Sequence, residues 1–304
     1  MAAGAAVWGL FWIPLRTIEQ TGLSGLTVVA IANATAALLV LGIMLASRKR
    51  HQALPLRALL QPSTLLLGSA LGVSSVLYML ALLYTDVIRA VFLFYLLPVW
   101  AMLAARVLYA EPVTPRQIMA VVLTVIGVWL LLGGDTEHLS VNPGFGDSLA
   151  IAAGMTWGLG LALLGDKGSP SPTASACATF SIATLLAIAV LFATSLLSGS
   201  SLATIEVSVQ ATPLPDGLSS SSTTAGVFYA MAFGLLLLLP SVLGQIWGAD
   251  RLPATLAAIL TTTEILVATI SAIVLVGTSV DSSGALGAVL IGVAFWQAMH
   301  TRAR

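Results

Sequence analysis

The sequence predicts an all-α integral membrane protein of ten transmembrane helices, built as two inverted five-helix repeats with both termini cytoplasmic. Three observations predict it. The 304-residue chain is 58% hydrophobic and 8% charged, with a mean hydropathy of +1.02, whereas a soluble domain carries about 25% charged residues. Its apolar runs are longer than the alternating strands of about ten residues that build a membrane barrel, so the backbone groups must be satisfied within helices. Its basic residues separate onto one side of the membrane once ten spans are drawn.

A span needs about 20 mostly apolar residues. The first, 2–20, opens with MAAGAAVWGLFWIPL and lacks the positive leader of a signal peptide, so it reads as a span. It carries Trp8, Trp12 and Pro14. The second, 26–46, contains Asn33. The third, 64–84, holds Tyr78 beyond Gly68 and Gly72. The fourth, 88–108, gathers Phe92, Phe94, Tyr95 and Trp100 around Pro98. The fifth is 115–133, and the sixth, 147–165, carries Trp157. The seventh, 175–197, holds Cys177, whose solitary state excludes an intrachain disulfide and a Cys-rich metal site and leaves inert packing. A polar stretch, 198–225, with SGSS, PLPDG and SSSSTT, reads as an external loop. The eighth span, 226–247, contains Pro240, Ser241 and Gln245. The ninth is 253–277 and the tenth 284–300.

With ten spans, one side receives Arg48, Lys49, Arg50, Arg57, Arg106, Arg116, Lys167, Arg251, Arg302 and Arg304, which is ten of the twelve basic residues. Arg16 and Arg89 fall on the other. A wrong span count would scramble this separation, so it supports the count and puts both termini in the cytoplasm.

Two halves are visible, 1–135 and 136–304, each a five-helix unit. Trp8-Gly9-Leu10 in the first span matches Trp157-Gly158-Leu159 in the sixth. LLPVWAMLAARVL (96–108) aligns with TEILVATISAIVL (263–275), and VIGVWLL (125–131) with VLIGVAF (289–295). Five spans is an odd number, so the second half enters the membrane from the opposite side. Inverted repeats are a transporter feature, with the solute site near the midplane between them.

These residues resemble the drug/metabolite transporter superfamily, EamA type. The resemblance rests on the paired Trp-Gly openings and on the segment 97–132, where the pattern falls on Pro98, Glu111, Gln117 and Gly127. The second half departs from that pattern: Thr278 stands where the second Glu would fall, and Ile265 where the Pro would fall. Glu264 beside it is similar to the Glu-Pro pair of amino-acid exporters. The aromatic density of spans one, three and four resembles YddG-type aromatic amino-acid exporters. The resemblance implies a bacterial inner-membrane protein.

Candidate site residues follow from what a bilayer interior penalises. Glu264 has no other charged residue around it from Leu252 to Val280, and an ionised carboxylate at mid-bilayer costs about 3 kcal/mol or more. It must face the bundle interior. Three partners suit it: a solute ammonium group, a coupling proton, or a backbone group or Gln245 on a neighbouring helix. Trp8, Trp12, Tyr78, Tyr95 and Trp157 read either as core packing or as a stacking surface for a flat or apolar solute. Pro98 frees the carbonyl of residue 94 and marks a hinge, a binding wall or a static kink. Gln245 either gates a pathway or joins two helices. Arg16, Glu19, Asp86 and Arg89, grouped at external span ends, read as solvated charges or as a gate latch.

Enzyme chemistry finds no support. His51, His138 and His300 are scattered, and HExxH, GxSxG and Walker patterns are missing. No cofactor or metal is expected, and the few basic residues exclude a nucleic-acid partner. The functional expectation is a monomeric secondary transporter exporting amino acids, aromatic ones included, or related small metabolites by alternating access, with protons as a candidate coupling ion. Export of cationic drugs or another metabolite is the first alternative. A non-transporting receptor or scaffold is the second.

Overall fold

Apolar runs fold as helices throughout this computed structural model, which describes residues 1–19, 21–46, 55–134, 144–164, 170–197, 223–277 and 281–300. Among the described residues, fifteen α-helices and one π-helical turn follow in order. They are α1 (Ala2–Trp8), α2 (Trp12–Glu19), α3 (Gly25–Ala46), α4 (Pro55–Leu59), α5 (Pro62–Tyr84), α6 (Val87–Phe94), α7 (Leu97–Tyr109) and α8 (Pro115–Leu131). After these come α9 (Phe145–Leu164), α10 (Pro172–Leu197), α11 (Thr223–Phe233), α12 (Leu239–Ala249), α13 (Ala254–Thr261), α14 (Thr263–Val276) and α15 (Ser282–His300). Among the described residues no strand occurs, and 8 helical segments are long and apolar enough to cross a membrane.

The chain is a multi-pass membrane protein. Large apolar side chains point outward on many of these helices, among them Leu38 at 69%, Val107 at 80% and Val274 at 74% exposure, a surface that suits lipid. The fifth expected span is a shorter apolar helix, α8. Arg48, Lys49, Arg50, Lys167, Arg302 and Arg304, which carry much of the expected orientation, lie outside the described residues, as does the expected external loop up to residue 222.

The first expected span consists of two helices, α1 and α2, parted at Gly9–Phe11. Pro14 lacks the N–H that would close on the Leu10 carbonyl in a continuous helix. Ile13 N–H bonds that carbonyl at 3.2 Å instead, and Phe11 N–H bonds Trp8 O at 2.9 Å, both three-residue closures.

Two further breaks shape the centre. Between α6 and α7, Pro98 withdraws the donor that Phe94 O would take in a continuous helix, and Leu96 N–H turns back to Leu93 O at 3.4 Å. Between α13 and α14 no proline is present. Three successive threonines act there. Thr261, Thr262 and Thr263 donate their hydroxyls to Ala257 O at 3.1 Å, Ile259 O at 2.7 Å and Leu260 O at 2.8 Å. Such back-bonding competes with the helix ladder and bends it. A π-helical turn, Gly234–Leu238, separates α11 from α12 just before Pro240.

Packing recurs between the two sequence halves. α9 rests on α5, α6 and α7, as α1 rests on α12, α13 and α14. α8 packs on α15, α3 on α10, and α7 on α13. The recurrence reaches single atoms. Ser74 Oγ on α5 donates to Ala153 O on α9 at 2.7 Å; Ser241 Oγ on α12 donates to Gly4 O on α1 at 2.7 Å. Gly158 lets α9 lie on α7: a Cβ there would sit 2.8 Å from Ala101 N and 3.1 Å from Leu97 O. Gly9 does the same for Glu264 O and Ala268 N on α14. One sequence shift relates Gly4 and Gly9 to Ala153 and Gly158. A second relates Ser74, Leu97 and Ala101 to Ser241, Glu264 and Ala268.

Candidate functional site

The recurring contacts hold two aromatic side chains face to edge. Gly9 and Gly158 let α1 and α9 approach the broken helices, and the preceding residues, Trp8 and Trp157, meet with ring centres 6.0 Å apart at 63°. Phe11 stacks on Trp8 at 4.6 Å and meets Phe233 edge-on at 4.8 Å. Across from them Tyr78 lies 4.5 Å from Phe94, and Phe94 5.4 Å from Tyr95. All of these rings but Tyr95 line a cavity of about 130 Å³, room for several waters or one small solute.

Five of the eight sequence-derived candidates line this cavity: Trp8, Tyr78, Trp157, Gln245 and Glu264. Tyr95 and Pro98 are buried and are not part of the lining. The carbonyl that Pro98 frees, Phe94 O, is met by Gly154 of α9, where a Cβ would come within 2.7 Å. Trp12 belongs to α2, and its side chain lies outside the described residues.

Glu264 is the single charged group among the described lining residues. It sits in the first turn of α14, directly after the threonine break. Tyr95 and Tyr78 are its aromatic neighbours. The Tyr95 hydroxyl adjoins the carboxylate, yet at strict hydrogen-bond geometry it has no partner among the described residues. The partner suggested for Glu264 on α12, Gln245, bonds elsewhere. Its Nε2 donates to Ser241 Oγ at 3.4 Å.

Three lining hydroxyls donate to helix carbonyls. Ser74 donates to Ala153 O, Ser75 to Leu71 O at 3.0 Å and Thr261 to Ala257 O at 3.1 Å. Asn33 Nδ2 donates to Val29 O at 2.8 Å. Three buried polar atoms on lining residues keep no protein partner: Trp157 Nε1, Thr179 Oγ1 and Gln245 Oε1.

Sequence reasoning missed Phe11, Phe94 and Phe233 as wall residues. Aligning 96–108 with 263–275 pairs Phe94, two residues upstream, with Thr261. Both line the cavity, so the alignment carried a signal for that pair. Phe11 and Phe233 depend on the break after Trp8 and on the π turn, neither of which a hydropathy pattern reveals.

Two members of the expected cluster of external charges, Asp86 and Arg89, lie in the described residues. Arg89 forms an ion pair of 2.7 Å with Asp147 at the start of α9, and both side chains are largely buried. Thr85 Oγ1 and Gly144 N–H complete the carboxylate at 2.8 and 2.7 Å. Asp86 caps α6 through Arg89 N–H at 3.1 Å. This ties the α5–α6 turn to α9. The side chains of Arg16 and Glu19 lie outside the described residues.

Among the described residues no group of His, Cys, Asp and Glu has the makings of a metal site.

Comparison with known proteins bears on the first half. Residues 1–133 match the EamA-like transporter family, which suggests a membrane transporter of small molecules. No curated protein matches the chain. A solved crystal structure, titled only as that of a protein, is similar with a TM-score of 0.72 at 15% identity, covering 99% of this chain and 97% of that one. At that identity the likeness is one of fold.

Proposed function

We propose that the chain is a secondary transporter of the EamA type that exports amino acids, aromatic ones included, or related small metabolites across a bacterial inner membrane. The observation that carries this reading is the cavity between the halves, walled by Trp8, Tyr78 and Trp157 and holding one carboxylate, Glu264. Ten spans in two inverted five-helix repeats, both termini cytoplasmic, form the moving parts, and the working unit is a monomer. The duplicated Ser-to-carbonyl bonds and glycine contacts support two related halves. Each half rests on the broken helix of the other, so a change at either break tilts the packing across the cavity. Alternating access then exposes the cavity to one side at a time.

A carboxylate in an apolar cavity needs a proton or a cation to be carried across. Glu264 is therefore the coupling residue of the proposal: it exchanges a proton for the amino group of the solute. Purified protein in proteoliposomes tests this, with labelled solute and an imposed pH gradient. The wild type is expected to accumulate solute with the gradient. Glu264→Gln is expected to lose at least tenfold in gradient-driven flux, as removal of a charge-bearing contact implies. Unchanged gradient dependence in Glu264→Gln would falsify the coupling role.

A second reading, transport of cationic compounds, is favoured by one specific feature: the described lining contains a carboxylate and no basic side chain.

A further inference from the structure

The direction of one hydroxyl proton fixes what this cavity can recognise. Ser241 Oγ lies 2.7 Å from Gly4 O. A carbonyl oxygen only accepts, so the Ser241 proton is committed to it. Ser241 Oγ can then only accept from Gln245, at 3.4 Å, which forces the Gln245 amide to turn its NH2 toward Ser241. Its carbonyl oxygen, Oε1, is left buried and unpartnered on a residue that lines the cavity. Heavy atoms alone leave an amide orientation ambiguous, and the fixed Ser241 donor favours this one over its flip.

The same direction of bonding recurs around the wall. Ser74, Ser75 and Thr261 spend their protons on helix carbonyls, so their oxygens offer lone pairs. With the Glu264 carboxylate and Gln245 Oε1, the described lining is rich in acceptors. Trp157 Nε1 and Thr179 Oγ1 are uncommitted neutral groups able to donate. No Lys, Arg or His is part of it.

At two pairs of corresponding lining positions, Tyr78 with Gln245 and Phe94 with Thr261, the first half supplies an aromatic side chain and the second half an oxygen acceptor. Glu264 adds the carboxylate to the second half, while Ser74 and Ser75 place acceptor oxygens in the first.

We infer that the transported solute is an amine recognised by its ammonium group at Glu264 and Gln245 Oε1, with a flat apolar body against Tyr78 and Phe94, and that a solute carboxylate has no cationic counterpart among the described lining residues. The inference rests on the proposed transport through this cavity and, of the solutes proposed above, selects cationic amines among the related small metabolites over the amino acids themselves. An ammonium offers three donors, which suits a carboxylate and an amide oxygen together. A carboxylate on the same solute would sit beside Glu264 without a cation to balance it, and like charges at close range in an apolar site repel strongly. A site whose acceptors demand N–H groups rejects analogues lacking them far more sharply than it rejects a change of apolar size.

The test uses the full chain, purified and reconstituted, with labelled tryptamine as probe. Equilibrium binding is measured first, then competition by unlabelled tryptamine, tryptophan and indole-3-propionate, and then flux into proteoliposomes. Tryptamine is expected to compete at least tenfold better than tryptophan, and indole-3-propionate not to compete. Gln245→Met, which keeps side-chain length and removes the acceptor, is expected to weaken tryptamine binding about tenfold. Gln245→Asn, which keeps an amide oxygen, is expected to lose less than Gln245→Met. Both variants are checked by their elution profile and melting temperature, and the competition order measured on the wild type serves if Gln245→Met fails to fold. Equal or better competition by tryptophan or indole-3-propionate overturns the inference, as does failure of tryptamine to bind or an equal loss of binding in folded Gln245→Asn and Gln245→Met. Binding with the expected order but no flux of any solute supports the recognition site and overturns the transport reading alone.

Discussion

The breaks at Phe94–Leu97 and Thr261–Thr263 occupy corresponding places and are made by different chemistry. In the first half, Pro98 removes a backbone donor. In the second, Ile265 stands where the proline would fall, and three threonine hydroxyls take over the helix carbonyls. The helices resume alike, with Leu97 beginning α7 and Glu264 in the first turn of α14. They also end alike, at left-handed residues Ala110 (φ 53°) and Gly277 (φ 76°). The shape of the broken helix is thus shared, and its chemistry is not. A proline break carries no polar side chain. A threonine break lets its half present Thr261 and Glu264 to the cavity, while the other half presents Phe94.

The strongest way to break this comparison is at the glycines that seat each broken helix. Gly9→Ala and Gly158→Ala both drive a methyl group into backbone atoms of the opposite half. Each is expected to cost about 1–3 kcal/mol, as overpacking does. The two losses in thermal unfolding should be alike if the halves are equivalent there; a large loss at one and none at the other would break the equivalence.

A smaller effect separates the two break chemistries. Ile265→Pro places a proline where the helix has already yielded, and removes one bond, Ile265 N–H to Thr262 O at 3.2 Å. The expected cost is about 1 kcal/mol. Ile270→Pro, at a 60% exposed position within α14, should cost about 3 kcal/mol. Equal costs in a melting assay would mean that the threonine break is not a true substitute for proline.

The smallest test lies at the helix ends. Gly277 tolerates its left-handed backbone without strain, while Ala110 does not. Gly277→Ala is expected to lower stability by about 1 kcal/mol, and Ala110→Gly to change it by a few tenths of a kcal/mol in the favourable direction. A melting comparison of the two variants reads both signs.

Much of the fold was legible because bilayer physics writes itself into long apolar runs. Glu264, Trp8, Trp157, Tyr78 and Gln245 were legible for the same reason: a charge, an amide or a deep aromatic residue in such a run stands out. The breaks were only half legible. Pro98 announces itself, whereas Thr261–Thr263 look like ordinary small polar residues until their hydroxyls are seen on the ladder. The first span looked continuous because hydropathy does not register a turn at Gly9–Phe11. Asp147 as the partner of Arg89 was hidden because the two are brought together by α6 packing on α9. The orientation of Gln245 depended on a proton shared between α1 and α12, which no linear pattern contains.

The central claim is that the cavity at the junction of the halves opens to each side of the membrane in turn. The chain has one cysteine, Cys177, and it is buried, so Cys177→Ser with Thr261→Cys gives a single reporter thiol on the cavity wall. In oriented membrane vesicles, a membrane-impermeant thiol reagent is added from one side or the other. Alternating access requires that the introduced thiol be modified from both sides, with the solute slowing both reactions. Modification from one side only, unchanged by solute, would contradict it.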